Sequence, residues 1–83
     1  MPKVTPSDRE MANRNTRAVI NAAKEMQGYG NQKLITVLDI SRTEFYRRQR
    51  DTDNYRLGDI RKLTKILHLT DEDIIRIVRG REK

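Results

Sequence analysis

The segment from Arg42 to Arg50 carries residue types that bind DNA, and their spacing places them on one flank of a helix. It contains four arginines and one glutamate, which gives a local charge of +3. Arginine pairs with guanine through two hydrogen bonds, threonine offers a methyl and a hydroxyl group, and tyrosine packs on thymine methyls or reaches phosphate. The expected base contacts are Arg42, Thr43, Tyr46 and Arg47.

Polar residues around this segment are expected to bind the phosphate backbone. A helix that begins at Asn31 presents unpaired N–H groups in its first turn, and these groups together with the helix dipole favour phosphate. Hydroxyl groups and further arginines along the chain add hydrogen bonds and charge. The expected phosphate contacts are Asn31, Gln32, Ser41, Arg50 and Arg56.

Two short helices must position these residues. Asn31 has the residue type of an N-cap, and a short apolar stripe follows it at helical spacing. The members of this stripe are Leu34, Ile35 and Leu38. The pattern predicts a helix of about two turns that ends before Asp39.

The second helix is predicted to begin at Ser41. Ser41 and Glu44 have the spacing of a capping box, and Ile40 and Phe45 have the spacing of two apolar residues that pack across a helix start. This helix runs to Arg50. A short helix, a turn and a second capped helix together form a helix-turn-helix.

Three further helices are predicted. The first runs from a cap at Ser7 toward Gln27. The second is an amphipathic helix over 57–67, which follows a loop formed by the polar stretch 51–56. Thr70 caps the last helix, and Gly80 ends it. Its expected core residues are Ile74, Ile77 and Val78. We therefore expect an all-α fold, a small five-helix bundle, with an N-terminal arm over 1–6, one domain over 7–80 and a basic tail over 81–83.

Composition excludes several classes of protein. The 83 residues include no Cys and one His, and the net charge is +6. No disulfide framework, thiolate zinc site or thiol nucleophile is possible, and no catalytic set of residues converges, so neither an enzyme nor a bound metal or cofactor is expected.

Residues 1–10 lack the apolar segment of a secretory signal, and no membrane span is expected, so the predicted location is the cytoplasm. The positive charge favours a polyanionic partner.

The chain from about residue 14 to 79 resembles the lambda-repressor-like (Cro/repressor-type) helix-turn-helix family. The matching positions are Asn31, Gln32, Leu34, Ile35, Leu38, Ile40, Ser41 and Phe45, followed by the apolar helix 57–67 and the segment from Leu69 to Ile75. This resemblance implies a sequence-specific regulator of transcription on double-stranded DNA, of the phage or mobile-element repressor type, that acts by occupying a promoter in a bacterial cell or phage-infected host. It also implies a homodimer on a palindromic operator.

Two positions depart from the family pattern. Asp39 stands where the family usually has glycine, and aspartate is one of the residues that tolerate the left-handed backbone there. Arg48 stands where an apolar residue is usual. We expect its aliphatic stem to lie on the edge of the core with its guanidinium outside.

Other functions stay open at this stage. Ile75 is expected to be partly exposed, which makes it a candidate dimer contact through the last helix, with the first helix as the other possibility. A protein-interaction module, such as an antirepressor or antitoxin, would use the helix-turn-helix as a scaffold and the Ile75 surface for its partner. Activation of transcription fits the residues as well as repression does. A binder of single strands is disfavoured because the chain has few aromatic residues for stacking.

Overall fold

Five α-helices and one 3₁₀ turn make up the part of the chain that the computed structural model describes, residues 7–80. The helices are α1 (Asp8–Gln27), α2 (Asn31–Leu38), α3 (Arg42–Arg50), α4 (Leu57–Leu67) and α5 (Asp71–Arg79), with the 3₁₀ turn at Thr52–Asn54 between α3 and α4. No strand occurs within these residues. The all-helical prediction is confirmed, and the proposed arm and tail lie outside the described residues.

Side-chain caps begin three of the helices where the sequence predicts them. The hydroxyls of Ser7, Ser41 and Thr70 accept hydrogen bonds from the backbone N–H three residues later, at 3.0 to 3.1 Å. The prediction for α2 is wrong by one residue, because Gly30 is its N-cap and Asn31 is its first helical residue. The Asn31 side chain bonds to Lys24 and Tyr46 instead of folding back on its own helix.

The core lies where α1, α2, α3 and α4 meet. Its fully buried side chains are Ile20, Leu34, Phe45, Leu63 and Leu67. Helix α1 packs mainly against α5, α2 packs against α4, and α3 contacts α1, α2 and the 3₁₀ turn. No helix within residues 7–80 combines the length and the apolar character needed to cross a membrane.

Val78, which the sequence predicts to face the core, is exposed, and so is Leu57, the first residue of the apolar stripe predicted over 57–67. Around the helix Val78 lies about 40° from Ile74 and about 100° from Ile77, on the side of Ile74 away from Ile77, so it is at the edge of the stripe that packs on the core and faces solvent. Leu57 is the first residue of α4 and lies at the margin of the core. Ile75 is 46% exposed, as the sequence predicts.

The turn between α2 and α3 sets the position of α3. Asp39 has φ 55° and ψ 50°, which is the left-handed conformation expected at this position. The N–H groups of Asp39 and Ile40 donate to the carbonyls of Thr36 and Ile35, at 3.2 and 3.4 Å. These bonds close a short turn over Asp39 and Ile40, after which Ser41 caps the start of α3.

Candidate nucleic-acid interface

Helix α3 buries one flank and exposes the other. Phe45 is fully buried and Arg48 nearly so, and these two residues hold the inner flank. The residues expected to contact bases, Arg42, Thr43, Tyr46 and Arg47, are all exposed. The inward position of Phe45 leaves the arginine-bearing flank at the surface.

Hydrogen bonds between α2 and α3 bring four of the predicted site residues together. Arg42 Nη2 donates to Gln32 Oε1 at 3.1 Å, and Asn31 Nδ2 donates to the Tyr46 hydroxyl at 3.4 Å. Lys24 of α1 donates to Asn31 Oδ1. The start of α2 and the outer flank of α3 thus form one continuous polar surface, which we call the α2–α3 face.

Tyr46 is held at the edge of this face. Its ring meets the buried ring of Phe45 edge to face, with centroids 5.5 Å apart and an interplanar angle of 73°. Its hydroxyl accepts the hydrogen bond from Asn31. These contacts orient a half-exposed aromatic side chain that carries both an apolar surface and a hydroxyl group.

Arg47 is paired within its own helix, a contact that is not among those expected from the sequence. Its Nε and Nη2 donate to Glu44 Oε2 and Oε1 at 2.8 and 2.7 Å. The hydrogen bonds and charge of Arg47 lower the pKa of Glu44 to about 2, and the same contact raises the pKa of Arg47. The signal was present in the sequence, because Glu44 and Arg47 are three residues apart and face each other on a helix.

Arg48 corrects the expectation that its guanidinium lies outside. The side chain is 8% exposed, and its Nη1 donates to Asp59 Oδ2 of α4 at 2.6 Å. Asp59 Oδ2 also accepts from the backbone N–H of Arg56 at 2.9 Å. A buried carboxylate compensates the charge of Arg48, and only tertiary packing brings the two helices together.

The remaining predicted residues lie around the ends of α3 and α4. The Ser41 hydroxyl caps α3, and the side chains of Arg50 and Arg56 are exposed. No hydrogen bond within residues 7–80 joins either arginine side chain to the α2–α3 face. Arg17 of α1 donates to the carbonyls of Gln49 and Arg50, both at 3.0 Å, and so satisfies the C-terminal end of α3.

The α2–α3 face is chemically suited to a polyanion with hydrogen-bonding edges. It combines the exposed guanidinium groups of Arg42 and Arg47 with an amide, a hydroxyl and an aromatic ring. Residues 7–80 contain no group of three or more His, Asp or Glu side chains placed to hold a metal ion. Comparison with known proteins found no matching family, no similar curated protein and no similar solved structure.

Proposed function

We propose that this chain is a sequence-specific regulator of transcription that binds double-stranded DNA, with α3 as the recognition helix. The observation that carries the proposal is the exposed flank of α3, where Arg42, Thr43, Tyr46 and Arg47 lie together while Phe45 anchors the opposite flank. A B-DNA major groove admits one helix and presents base edges that these side chains recognise. The α2–α3 arrangement is proposed to be a helix-turn-helix of the lambda-repressor-like type.

Each residue of the α2–α3 face has a role in this proposal. Arg47 is the principal contact to guanine, while Arg42, Thr43 and Tyr46 read neighbouring base edges. Gln32 directs its oxygen at Arg42, so its amide nitrogen is oriented as a donor for phosphate. Asn31 contributes its backbone N–H at the start of α2, since its side chain is engaged with Lys24 and Tyr46. Ser41, Arg50 and Arg56 complete the phosphate contacts.

Repression by occupancy of a promoter is the mechanism we propose, in the manner of phage or mobile-element repressors and in a bacterial cytoplasm. A bound protein at a promoter excludes polymerase without any catalytic step. Activation through contact with polymerase would use the same DNA-binding face, so both modes predict the same operator contacts.

Dimerisation through α5 completes the proposal. The exposed face of α5 runs from acidic to apolar to basic along the helix, and its members are Asp71, Glu72, Ile75, Val78 and Arg79. When two copies of such a face meet antiparallel across a two-fold axis, the acidic end of each lies against the basic end of the other, and Ile75 lies near the axis. A symmetric dimer matches a palindromic operator.

A protein-interaction module of the antirepressor or antitoxin type is the alternative function. It would employ the α5 face for its partner and leave α3 as a scaffold. The exposed position of Arg42 and Arg47 favours DNA binding, because a scaffold helix has no need of a solvent-exposed basic flank with a base-reading set of side chains.

Selection from a library of duplexes with 20 randomised base pairs, using the full chain, tests the proposal. We expect wild-type protein to enrich a defined motif and Arg47→Ala to lose preference at a guanine in it, with specific affinity falling about 5- to 100-fold. Arg14→Ala is the matched control, because Arg14 on α1 is equally exposed (62% against 60%) and also pairs with a glutamate on its own helix.

The outcomes separate the two functions. A motif that Arg47→Ala degrades and Arg14→Ala preserves supports sequence-specific binding. Sequence-specific binding is contradicted if the wild-type protein enriches no motif and the two variants lose affinity for a random duplex equally. That result leaves the interaction module as the function.

A further inference from the structure

Glu44 is a carboxylate at the margin of the exposed flank of α3, between Arg47 and the buried Arg48, beside a surface that is otherwise suited to a polyanion. Its side chain is only 26% exposed, and it contacts two consecutive arginines. It receives three hydrogen bonds from Arg47, at 2.7, 2.8 and 3.3 Å, and one, at 3.4 Å, from Arg48 Nε. The helix dipole favours an acidic residue in the first turn of α3, but the capping box predicted with Ser41 is only half formed: the Ser41 hydroxyl caps the Glu44 N–H, and the Glu44 carboxylate pairs with the two arginines.

The geometry of the Glu44–Arg47 pair leaves the outer edge of Arg47 available. A guanidinium has five N–H donors, and Glu44 engages the Nε–H and one Nη2–H from the side. The other Nη2–H and both Nη1–H groups remain, and within residues 7–80 Glu44 is the only side chain to which Arg47 bonds. Of these, the Nη2–H and the one Nη1–H that point away from Nε form the terminal fork that pairs with O6 and N7 of guanine.

A buried anchor fixes Glu44 itself. Arg48 contacts Glu44 through Nε and Asp59 through Nη1, and the Arg48 and Asp59 side chains are 8% and 10% exposed. The ion pairs therefore form a chain from the interior to the surface, in the order Asp59, Arg48, Glu44 and Arg47. Each member limits the rotamers of the next, so the exposed guanidinium is held in one orientation before any ligand arrives.

Glu44 also compensates the charge of Arg47. The carboxylate is ionised at neutral pH, and the contacts with Arg47 and Arg48 lower its pKa, so that it stays ionised in mildly acidic solution as well. An arginine whose charge is balanced is attracted less strongly to phosphate at any sequence, while its terminal fork still recognises guanine. The pair therefore reduces sequence-independent binding and preserves the sequence-dependent contact.

We propose that Glu44 is a positioning residue that sets specificity by holding the terminal fork of Arg47 toward guanine in the major groove. This inference rests on the proposed function and extends it by naming the base and the residue that controls its recognition. Glu44 is not proposed to touch the base; it acts through Arg47.

Two variants separate orientation from charge. Glu44→Gln removes the charge that balances Arg47, and Glu44→Asp keeps the charge but shortens the side chain, so that the two-point contact with Arg47 is lost. Both variants retain the backbone N–H that Ser41 caps. Glu10→Gln is the control, because Glu10 pairs with Arg14 on α1, away from the face.

The experiment combines selection from the randomised duplex library with salt titrations on one duplex of random sequence. We expect Glu44→Gln to bind the random duplex more tightly, with a log–log salt slope steeper by about 0.9, and to lose roughly tenfold in preference for guanine at the position read by Arg47. We expect Glu44→Asp to lose guanine preference with an unchanged salt slope. Glu10→Gln should change neither quantity, and circular dichroism checks that each variant is folded.

The possible failures are distinguishable. If wild-type protein enriches a motif whose guanine preference depends on Arg47 but both Glu44 variants retain that preference, the role of Glu44 is overturned and the proposed function stands. If the preference does not depend on Arg47, the inference is also overturned. If wild-type protein enriches no motif, the proposed function fails and the inference fails with it.

Discussion

The ion pair between Arg48 and Asp59 joins α3 to α4 where little water reaches either charge. Nη1 of Arg48 lies 2.6 Å from Oδ2 of Asp59, and the carboxylate also accepts from the Arg56 N–H. Replacing one member of such a pair leaves the other charge buried without its partner, which costs more than the pair itself contributes. At the residue scale, this pair therefore controls how firmly α3 is held.

We predict that Arg48→Met lowers the free energy of unfolding by about 3 kcal/mol, because it leaves the Asp59 carboxylate without its guanidinium. Arg50→Met on the exposed flank of the same helix should cost less than about 0.5 kcal/mol. Urea unfolding followed by circular dichroism measures both values.

A double-mutant cycle checks the cause of the Arg48 effect. Asp59→Asn retains an oxygen for the Arg56 N–H, so the double variant Arg48→Met/Asp59→Asn should be more stable than the sum of the single losses predicts. Two results would contradict a stabilising buried pair. One is that the losses in free energy of unfolding are additive in the double variant, and the other is that Arg48→Met and Arg50→Met lose equal amounts.

At the scale of elements, the end of α5 lies unusually close to α1. Gly80 ends α5 with φ 73°, and a Cβ atom built on it would lie 2.7 Å from the Cβ of Ala12. Asn15 of α1 donates to the Arg76 carbonyl at 2.8 Å, which joins the same two helices. Glycine is required here by both the left-handed backbone and the close approach of the helices.

We predict that Gly80→Ala is more destabilising than Gly28→Ala by roughly 1 kcal/mol or more. Both glycines have φ near 70°, so both variants incur the cost of a side chain in the left-handed region, but a Cβ at Gly28 meets no atom within 4 Å. The difference in thermal unfolding between the two variants isolates the contact with Ala12.

Removing the Ala12 Cβ should restore part of the stability that Gly80→Ala loses. Ala12→Gly in the Gly80→Ala background is expected to cost less than Ala12→Gly in the wild-type chain, where it only weakens α1. Equal stability of Gly80→Ala and Gly28→Ala would mean that α5 does not approach α1 this closely in solution.

On the scale of the whole molecule, the two surfaces we propose as functional lie on different helices. Helix α3 contacts α1, α2 and the 3₁₀ turn, whereas α5 packs mainly against α1. A partner on the exposed face of α5 therefore binds a helix other than the one that carries Arg42 and Arg47. Under the proposed function, two copies joined through α5 would each offer α3 to the same duplex.

We predict that the chain is a dimer in solution and that Ile75→Glu converts it to a monomer, as measured by sedimentation equilibrium, because a charge would be buried at the two-fold axis. Met26→Glu is the matched control on α1, where an exposed methionine offers the other dimer surface that the sequence allows. Monomers from Met26→Glu and dimers from Ile75→Glu would place the interface on α1.

Charge exchange along α5 tests the antiparallel arrangement directly. Glu72→Arg and Arg79→Glu should each weaken the dimer, because each places like charges opposite one another across the axis. The double variant should restore association, since it reverses the pattern and retains its complementarity. A double variant weaker than both single variants would contradict this arrangement.

Much of this structure follows from local signals in the sequence. The caps at Ser7, Ser41 and Thr70, the left-handed turn at Asp39 and the buried position of Phe45 were all predictable, because each depends on residues within a few positions of one another. The same signals predicted the exposed flank of α3. Exposure of Ile75 also followed from helical period alone.

Only tertiary structure decided how the charges are compensated and which apolar residues reach the core. Arg48 is buried because Asp59, eleven positions away, approaches it when α3 packs against its neighbours. Val78 is exposed although it is apolar, because the inward face of α5 is set by contact with α1. Local sequence determines where a helix begins and which residues share a face, but the burial of that face depends on what the rest of the chain places against it.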